Sequence, residues 1–429
     1  MKFLVGALLV VSQAVQAAQW PQKMLSPVVA AQFDALPHPD QFTAEYVWLD
    51  ADGDVRSKLR VFSARSPLDS ERRIHRVLME GLDTVRALHS QHKGDGRDDS
   101  VPRVPPSDPE MSWRDRVVEA MPEWNYDGSS TQQADGGDSE VELLPVKVYR
   151  DPFRAGAGGG ANVIVLCDIR GADSHSKRTK WADVMNSHEA RAAHPWFGLE
   201  QEYTLLETAT SCPLGWPSDG EPPAQGPYYC GNGAGRAVGR LVSESHARAS
   251  MYAGLLISGT NGEVAPGQWE YQIGPVEGMD AADQLVMSRF LLRRVAESYD
   301  VQVSFAAKPI AKGCWNGAGL HTNYSTQQMR TEAKSGDRTS MMQAIERLGG
   351  KHKEHMAVYG VDNAMRLCGE FETSDPETFS SGQADRGASV RLPRNVKAGY
   401  FEDRRPAASA SPYDVVGIIT QTTLGLAEK

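Results

Sequence analysis

The sequence lacks the features of several large protein classes. Its 429 residues include only five cysteines, and none of them forms a C-x-x-C pair, so a disulfide framework is excluded. Beyond the extreme N-terminus, no apolar run reaches the ~18 residues that a membrane-spanning helix needs. The phosphate-binding motif G-x-x-x-x-G-K-[ST] is absent, and the glycine-rich run 231–240 does not fit the dinucleotide fingerprint.

Positive charge is in deficit as well. The 45 basic residues are outnumbered by 55 acidic ones, which gives a formal net charge of −10. This balance argues against nucleic acid or an anionic membrane as a partner, so an anionic substrate has to meet local arginine, lysine or metal. With 40% hydrophobic residues, the chain is long enough for two or three globular domains.

The N-terminus has the composition of a targeting segment. Lys2 precedes the apolar stretch 3–11, and small residues follow it as far as Ala17 and Ala18. This order predicts a cleavable signal peptide at residues 1–18 and entry into the secretory pathway. The alternative is the apolar N-terminus of a cytoplasmic protein.

Hydrophobic periodicity predicts both strands and helices. The segment 42–62 alternates around an Asp-Gly dipeptide, which is typical of a hairpin, and helical spacing follows from Asp69. The run 92–108 is polar and rich in glycine and proline, as a loop would be. Further strands are predicted at 141–148, 163–169, 197–206 and 269–273, and further helices at 242–255 and 281–297.

Two pairs of acidic residues indicate a divalent metal site. Glu200 and Glu202 lie two apart in FGLEQEY, so a strand would direct both carboxylates to one face. Glu263 precedes a Pro-Gly turn and Glu270 follows it, so the turn can bring these two together. Either pair alone is more often a solvated surface, but together they favour Mg²⁺ or Mn²⁺, which bind carboxylate oxygens and reduce the repulsion between them.

A histidine and a set of arginines accompany these acids. His321 lies in the glycine-rich segment WNGAGLHTNYST and is either a neutral metal ligand or a core histidine. The C-terminal part concentrates arginine, whose guanidinium group binds carboxylates and phosphates in bidentate geometry, although a solvated basic strand is the alternative. These arginines are Arg366, Arg386, Arg391, Arg394, Arg404 and Arg405.

Six motifs in this order resemble the eukaryotic-type branch of the glutamine synthetase family. They are EWNYDGSST, HPWFGLEQEY, WEYQIGP, NGAGLHTNYST, GASVRLPR and GYFEDRRP, and the match runs from about Phe42 to the C-terminus. The resemblance implies an α+β protein with an N-terminal β-grasp domain at 24–172, which carries a long insertion at about 66–120. It implies a glutamine synthetase/guanido-kinase-like catalytic domain at 173–429, with an antiparallel sheet and flanking helices.

The same resemblance implies a reaction and an assembly. The reaction is the ATP-dependent ligation of ammonia to L-glutamate, which gives L-glutamine through γ-glutamyl phosphate. Two or three Mg²⁺ or Mn²⁺ ions serve each active site, and ATP is a co-substrate. The assembly is a homo-oligomer of stacked rings, a decamer, with active sites between subunits.

Roles for individual residues are also implied by the resemblance. One metal ion would be held by Glu202, Glu263 and Glu270, and another by Glu200, His321 and Glu402. Glutamate would contact Asn316, Gly317, Arg366 and Arg404. The nucleotide would lie near Trp196, Asn323, Ser325, Arg386 and Arg391. Catalysis would involve Asp127 of a neighbouring subunit, Glu372 in a flap, and Arg404 at the transferred phosphate.

The chain departs from the family pattern at a few positions, and other functions remain open. Phe371, Asp385 and Leu320 stand where the family usually has histidine, asparagine and cysteine, so the resemblance does not fix the fine substrate geometry or the rate. One alternative is a ligase that joins glutamate to a larger amine, and another is a non-catalytic binding or structural relative. The signal peptide, combined with the resemblance, predicts a plastid reached through the endoplasmic reticulum, or secretion, with the cytoplasm as the alternative.

Overall fold

The structure is a computed structural model that describes most of the chain. It covers residues 40–91, 109–155, 161–171, 176–217, 224–310, 315–369 and 373–427. The predicted signal peptide, the polar run 92–108 and the flap residue Glu372 lie outside the described residues. Four of the cysteines, Cys167, Cys212, Cys230 and Cys368, are free thiols.

The N-terminal part forms a five-stranded sheet of order β2-β1-β5-β4-β3. The predicted hairpin is confirmed as β1 and β2, which pair in register from Gln41↔Ser63 to Leu49↔Val55. β1 also pairs in parallel with β5, and the other pairs are antiparallel. The strands are β1 (Gln41–Leu49), β2 (Val55–Ser63), β3 (Trp124–Asp127), β4 (Glu140–Arg150) and β5 (Val163–Arg170).

Two helices between β2 and β3 cover one face of this sheet. The predicted helix from Asp69 is confirmed as α1 (Asp69–Gln91), and α2 (Pro109–Ala120) follows it. Ile74, Leu78 and Val117 are buried in a core with the aromatic side chains of β1. The extra length at 66–120 therefore adds packed helices to the sheet.

The second sheet has eight strands and carries the acidic residues. Its order is β11-β12-β13-β10-β6-β8-β7, with β9 paired to β6. All its pairs are antiparallel except β11 with β12, which is parallel. The strands are β6 (Trp196–Glu207), β7 (Ile257–Gly262), β8 (Gln268–Glu277), β9 (Val301–Ser304), β10 (Leu320–Ser325), β11 (Ser381–Gln383), β12 (Val390–Leu392) and β13 (Phe401–Asp403).

Helices pack against the apolar face of the second sheet. Tyr203, Tyr271 and Phe401 of this face are buried in one core with α6 and α11. The helices are α3 (Lys177–Met185), α4 (His188–Ala193), α5 (Arg240–Ala253), α6 (Met279–Ser298), α7 (Gln327–Glu332), α8 (Thr339–Gly350), α9 (His352–Val358), α10 (Asn363–Arg366) and α11 (Pro412–Leu424). The architecture is α+β, as predicted.

The two sheets share a core, which fixes the N-terminal sheet against the helices of the second. Val47 of β1, together with Ile164 and Leu166 of β5, belongs to the same buried cluster as α6 and α11. The division into domains at 24–172 and 173–429 stays a prediction. Among the described helices, none combines the length and apolar character that a membrane crossing requires.

Candidate active site

Strand register gathers the acidic residues on the polar face of the second sheet. Glu202 lies opposite Glu270 across β6 and β8, and Glu200 lies opposite His321 across β6 and β10. On the next strand along, Glu402 of β13 faces Asn323 of β10. Because side chains alternate along a strand, these residues share one face while Tyr203 and Tyr271 fill the core behind it.

One group of potential metal ligands consists of Glu200, His321 and Glu402, whose ligand atoms lie within 4.8 Å of one another. His321 Nδ1 is 3.9 Å from Glu200 Oε2 and 3.8 Å from Glu402 Oε1. These separations are too long for hydrogen bonds but match two donors on a shared ion, since each donor lies about 2.1 Å from a bound Mg²⁺. The geometry thus leaves room for a cation between the three side chains.

A second group consists of Glu202, Glu270 and His321, again within 4.8 Å. Two of its members, Glu202 and Glu270, belong to the predicted set of Glu202, Glu263 and Glu270, and His321 lies with them. Glu263 lies beside this group, where the charge of Glu202 contributes to its raised pKa. His321 therefore lies between two clusters of carboxylates.

Burial gives these carboxylates high proton affinity. Burial, and then neighbouring carboxylates, raise the pKa of Glu200 to about 7, that of Glu263 to about 8 and that of Glu270 to about 9. Burial, and then the charge of Arg404, hold the pKa of His321 well below its usual range, so its ring is neutral. A buried cluster of acids around a neutral imidazole is a site that a divalent cation can stabilise.

Side-chain and backbone amide groups donate hydrogen bonds to the carboxylates and orient them. Asn323 Nδ2 donates a hydrogen bond of 2.6 Å to Glu200, and the Gly319 backbone N–H donates one of 2.7 Å to Glu202. Gln272 donates to Glu270, and Asn261 Nδ2 donates to Glu263 at 3.1 Å. Such outer contacts fix the direction of ligand oxygens around a metal.

A cavity of about 420 Å³ opens on one side of the acids. Of the predicted glutamate-binding residues, it is lined by Asn316, Gly317, Arg366 and Arg404. A Cβ on Gly317 would clash with the Arg366 side chain and the Ala307 carbonyl, so only glycine fits there. Arg386 also lines this cavity, although the prediction grouped it with Arg391 at the nucleotide.

A second cavity, of about 500 Å³, opens near Glu200. Trp196, Asn323, Ser325 and Arg391, all predicted to lie near the nucleotide, line it together. Arg330 also lines it, with its guanidinium 3.8 Å from the centre of the Trp196 ring. Arg330 was not predicted from the sequence, because no spacing or motif distinguishes it from a surface arginine.

Glu402 joins the acidic cluster to the arginines. It forms ion pairs with Arg391 and, at 2.8 Å, with Arg404. Its side chain is 2% exposed, so these contacts are shielded from solvent. Glu402 thus lies between the two cavities and next to an arginine of each.

Asp127 lies apart from this cluster, at the end of β3 in the N-terminal sheet. Its exposed carboxylate accepts hydrogen bonds from the backbone and hydroxyl of Ser129 and from the hydroxyl of Ser130, which hold its pKa below the usual range. It lines neither of the two cavities of its own chain. The other catalytic residue predicted from sequence, Glu372, lies outside the described residues.

Comparison with known proteins identifies the family to which this arrangement of residues belongs. Residues 176–426 match the family model for the glutamine synthetase catalytic domain. The chain belongs to the glutamine synthetase family. It is 43% identical over 405 residues to a glutamine synthetase of Yarrowia lipolytica, an alignment that covers 93% of this chain and 95% of that protein.

Plant glutamine synthetases are also similar. The nodule isozyme of Medicago sativa is 50% identical over 311 residues, covering 71% of this chain and 85% of that protein. A protein of Glycine max named cytosolic isozyme 2 has the same identity and coverage. The polar face of the second sheet, with its acids and arginines, lies within the matched catalytic domain.

Proposed function

We propose that this chain catalyses the ATP-dependent ligation of ammonia to the side-chain carboxylate of L-glutamate, forming L-glutamine, ADP and phosphate through γ-glutamyl phosphate. The observation that carries the proposal is the buried row of carboxylates around His321, with an arginine-lined cavity on either side. Glutamate and ATP are both anions, so their reaction needs this concentration of positive groups.

The donor set fits a hard divalent cation such as Mg²⁺ or Mn²⁺. It offers five carboxylates and one neutral imidazole, and hard cations prefer oxygen with occasional imidazole nitrogen. Glu202, Glu263 and Glu270 would hold one ion, and Glu200, His321 and Glu402 the other. When bound, the ions neutralise charge on the phosphates and on the attacking carboxylate.

In the first half of the reaction, the phosphorylation of glutamate, arginines bind the two anionic substrates. We assign Arg366 and Arg404, together with Asn316 and Gly317, to glutamate, because they share the cavity beside Glu202. Arg391, Trp196, Asn323 and Ser325 share the other cavity and are assigned to the nucleotide. Glutamate's γ-carboxylate oxygen then attacks the γ-phosphorus of ATP, the bond to ADP breaks, and arginine charge stabilises the transferred group. Arg386 would reach the phosphates from the glutamate side.

The second half of the reaction requires a proton acceptor. Asp127 of a neighbouring subunit is proposed to bind ammonium and take its proton, because a carboxylate attracts the cation and can accept a proton from it. Ammonia then attacks the γ-carbonyl, the bond to the phosphate oxygen breaks with its electron pair going to the phosphate, and the departing phosphate takes the remaining extra proton from the nitrogen. Glu372 is proposed to exclude water from the intermediate.

Assembly and location are proposals of the same kind. A ring-forming homo-oligomer, a decamer, would supply Asp127 across the subunit boundary. The signal peptide at residues 1–18 and secretory entry stay predictions, and a cytoplasmic location agrees with the cytosolic name of the Glycine max relative.

Turnover with different acceptors tests the proposal. Protein lacking residues 1–18 is incubated with ATP, glutamate and Mg²⁺ or Mn²⁺, and with ammonium, hydroxylamine or spermidine as the acceptor. We expect one glutamine and one phosphate per ADP with ammonium, and the hydroxamate with hydroxylamine. Phosphate release only with spermidine would assign a larger amine as acceptor, and no turnover with any acceptor would contradict the enzyme assignment.

A further inference from the structure

A third cavity lies between the N-terminal sheet and the helices of the catalytic domain. Its volume is about 250 Å³. None of the acidic residues around His321 and none of the arginines of the other two cavities lines it. The walls come from the β1–β2 turn and β5 on one side, and from α3, α6 and the start of α11 on the other. The cavity is thus separate from the two cavities described above.

Arg289 of α6 is a buried cation on this cavity wall that has no acidic partner. The residue is 8% exposed, and its Nε and Nη2 donate to Gln201 Oε1 and to the carbonyls of Ala408 and Ala410. Within the described part of the chain, no carboxylate forms an ion pair with it, and its Nη1 donates no hydrogen bond. A buried charge without a counter-ion is costly unless an anion joins it.

The other cations on the same wall are neutralised within the chain. Arg178 forms a two-point ion pair with Asp283, at 2.9 and 3.1 Å. Lys177 pairs with Asp414 at 3.0 Å. Arg289 is therefore the cation on this wall that is left for a ligand.

Two helix N-termini add to the positive potential. Ser176 caps α3, Ser411 caps α11, and both caps line the cavity. The N-terminus of a helix carries partial positive charge and attracts anions. Together with the free Nη1 of Arg289, the two N-termini favour a negatively charged occupant.

The apolar and acidic residues that line the rest of the cavity indicate which kind of anion fits. Leu49, Val55, Leu166 and Val286 supply apolar surface, which an inorganic ion would not use. Asp50, Asp52 and Asp168 also line the cavity and disfavour a multiply charged group such as phosphate. The volume lies slightly below the usual range for drug-sized ligands, so the occupant has only a few carbon atoms.

We propose that this inter-domain cavity is a binding site for a small organic carboxylate, whose anionic group pairs with Arg289 and whose carbon chain packs on the apolar wall. One hydrogen bond links this cavity to the strand of the proposed metal site. Arg289 donates to Gln201, which lies between Glu200 and Glu202 on β6. The proposal does not depend on the ligase activity.

Saturation-transfer NMR with propionate, in the presence of a chelator, tests the site on the full chain. Wild-type protein binds propionate saturably, and Arg289→Gln weakens binding roughly tenfold or more, the value of one charge-assisted hydrogen bond. Arg293→Gln is the matched control, since Arg293 lies one turn further along α6, pairs with Asp54 and does not line the cavity. That variant retains wild-type binding.

A second variant separates ligand binding from folding. Ala51 is an exposed residue at the cavity wall and is not one of the hydrogen-bond acceptors of Arg289, so Ala51→Trp fills the cavity and leaves the guanidinium hydrogen bonds in place. We expect Ala51→Trp to abolish propionate binding without lowering the melting temperature. The proposal is overturned if wild-type protein shows no saturable binding, if Ala51→Trp binds normally, or if inorganic phosphate displaces propionate at equal concentration.

Discussion

At the scale of single residues, the site is defined by a neutral histidine among carboxylates that repel one another. Glu202 and Glu270 face each other across two strands, and their ligand atoms lie within 4.8 Å of the His321 ring nitrogen. Without a cation, every additional charge in this group destabilises the fold. Stability and metal binding are therefore opposed at the same side chains.

Glu270→Gln separates these two effects. The amide removes the charge of a proposed metal ligand but also removes repulsion from Glu200, Glu202 and Glu263, which contribute to the raised pKa of Glu270. We expect the melting temperature of the metal-free protein to rise by a few degrees, and the Mn²⁺ concentration for half-maximal activity to increase by about tenfold or more. Glu207→Gln, at the far end of β6, is the control and should change neither value.

The raised pKa values also predict a pH dependence. In the folded, metal-free protein Glu200, Glu263 and Glu270 have pKa values of about 7, 8 and 9, whereas an unfolded glutamate titrates near 4.3. The folded state thus binds more protons between these values, so the free energy of unfolding contributed by these groups falls as pH rises from about 5 to 9.

Denaturant titrations across this range, with and without Mn²⁺, measure the effect. Because each bound ion displaces protons, Mn²⁺ affinity should rise by about tenfold per pH unit for each proton displaced. Glu270→Gln should show a shallower pH dependence than wild type. Metal-free protein that becomes more stable towards pH 9, with Glu270→Gln following the same curve, would contradict the assignment.

At the scale of elements, strand β13 contributes to the candidate site on one face and to the buried core on the other. Glu402 faces the acidic cluster, and Arg404, just beyond the strand, pairs with it. Asp403 and Arg405 turn to the interior, where both are fully buried and ion-paired at 2.7 Å. Tyr359, His352 and His355 complete the interior contacts, as the Tyr359 hydroxyl donates to Asp403 at 2.8 Å and both histidine rings contact the Arg405 guanidinium.

Breaking this interior pair should cost much more than breaking a surface pair. Arg405→Met leaves the Asp403 carboxylate buried without its cation, so we expect a loss of about 3–5 kcal/mol in the free energy of unfolding. The double variant Asp403→Leu with Arg405→Met should recover most of this loss. Arg65→Ala, which breaks the exposed pair with Asp40, is the control and should cost about 0–1 kcal/mol. Urea denaturation gives all three values.

Strong local patterns in the sequence predicted the long elements of the fold. The hairpin around Asp52 and Gly53, the helix from Asp69 and the strand with Glu200 and Glu202 all have clear periodicity, and all are present. The short strands β11, β12 and β13 were not predicted, because three residues are too few to show a period. Helix α2 has no clear apolar stripe and was also missed.

The predicted site residues were found partly from chemistry and mainly from family resemblance. The i, i+2 spacing of Glu200 and Glu202 indicates a shared face directly. The proximity of His321 to Glu402, which are far apart in sequence, depends on the strand order β13-β10-β6 and has no local signal. The lone cation at Arg289 was not predicted, because the sequence does not show which arginines have partners.

At the scale of the whole molecule, the position of Asp127 bears on assembly. This residue lies in the N-terminal sheet and lines neither the 420 Å³ nor the 500 Å³ cavity of its own chain. An active site completed by a neighbouring subunit therefore predicts that two inactive variants can complement each other. At an Mn²⁺ concentration that saturates the wild-type protein but not Glu270→Gln, Asp127→Asn and Glu270→Gln should each lose most activity as pure proteins.

Mixed oligomers of these two variants give the test. Co-expression should restore roughly a quarter of wild-type activity, because random mixing pairs an intact catalytic domain with an intact Asp127 in about one site of four. Light scattering on the same samples should give ten times the 46.8 kDa chain mass if the predicted decamer forms. Activity that stays at the level of the single variants in a confirmed hybrid would place Asp127 within its own subunit's site or outside catalysis.

We propose that the acidic residues around His321 and the flanking arginines activate glutamate by phosphorylation. Transfer of ¹⁸O from the γ-carboxylate of labelled glutamate into inorganic phosphate is the measurement to make, because the attacking oxygen leaves with the phosphate when ammonia displaces it. With ammonium and Mg²⁺ present, we predict one ¹⁸O atom in each phosphate released. Glutamine formation with unlabelled phosphate would contradict a γ-glutamyl phosphate intermediate and, with it, the roles assigned to both cavities.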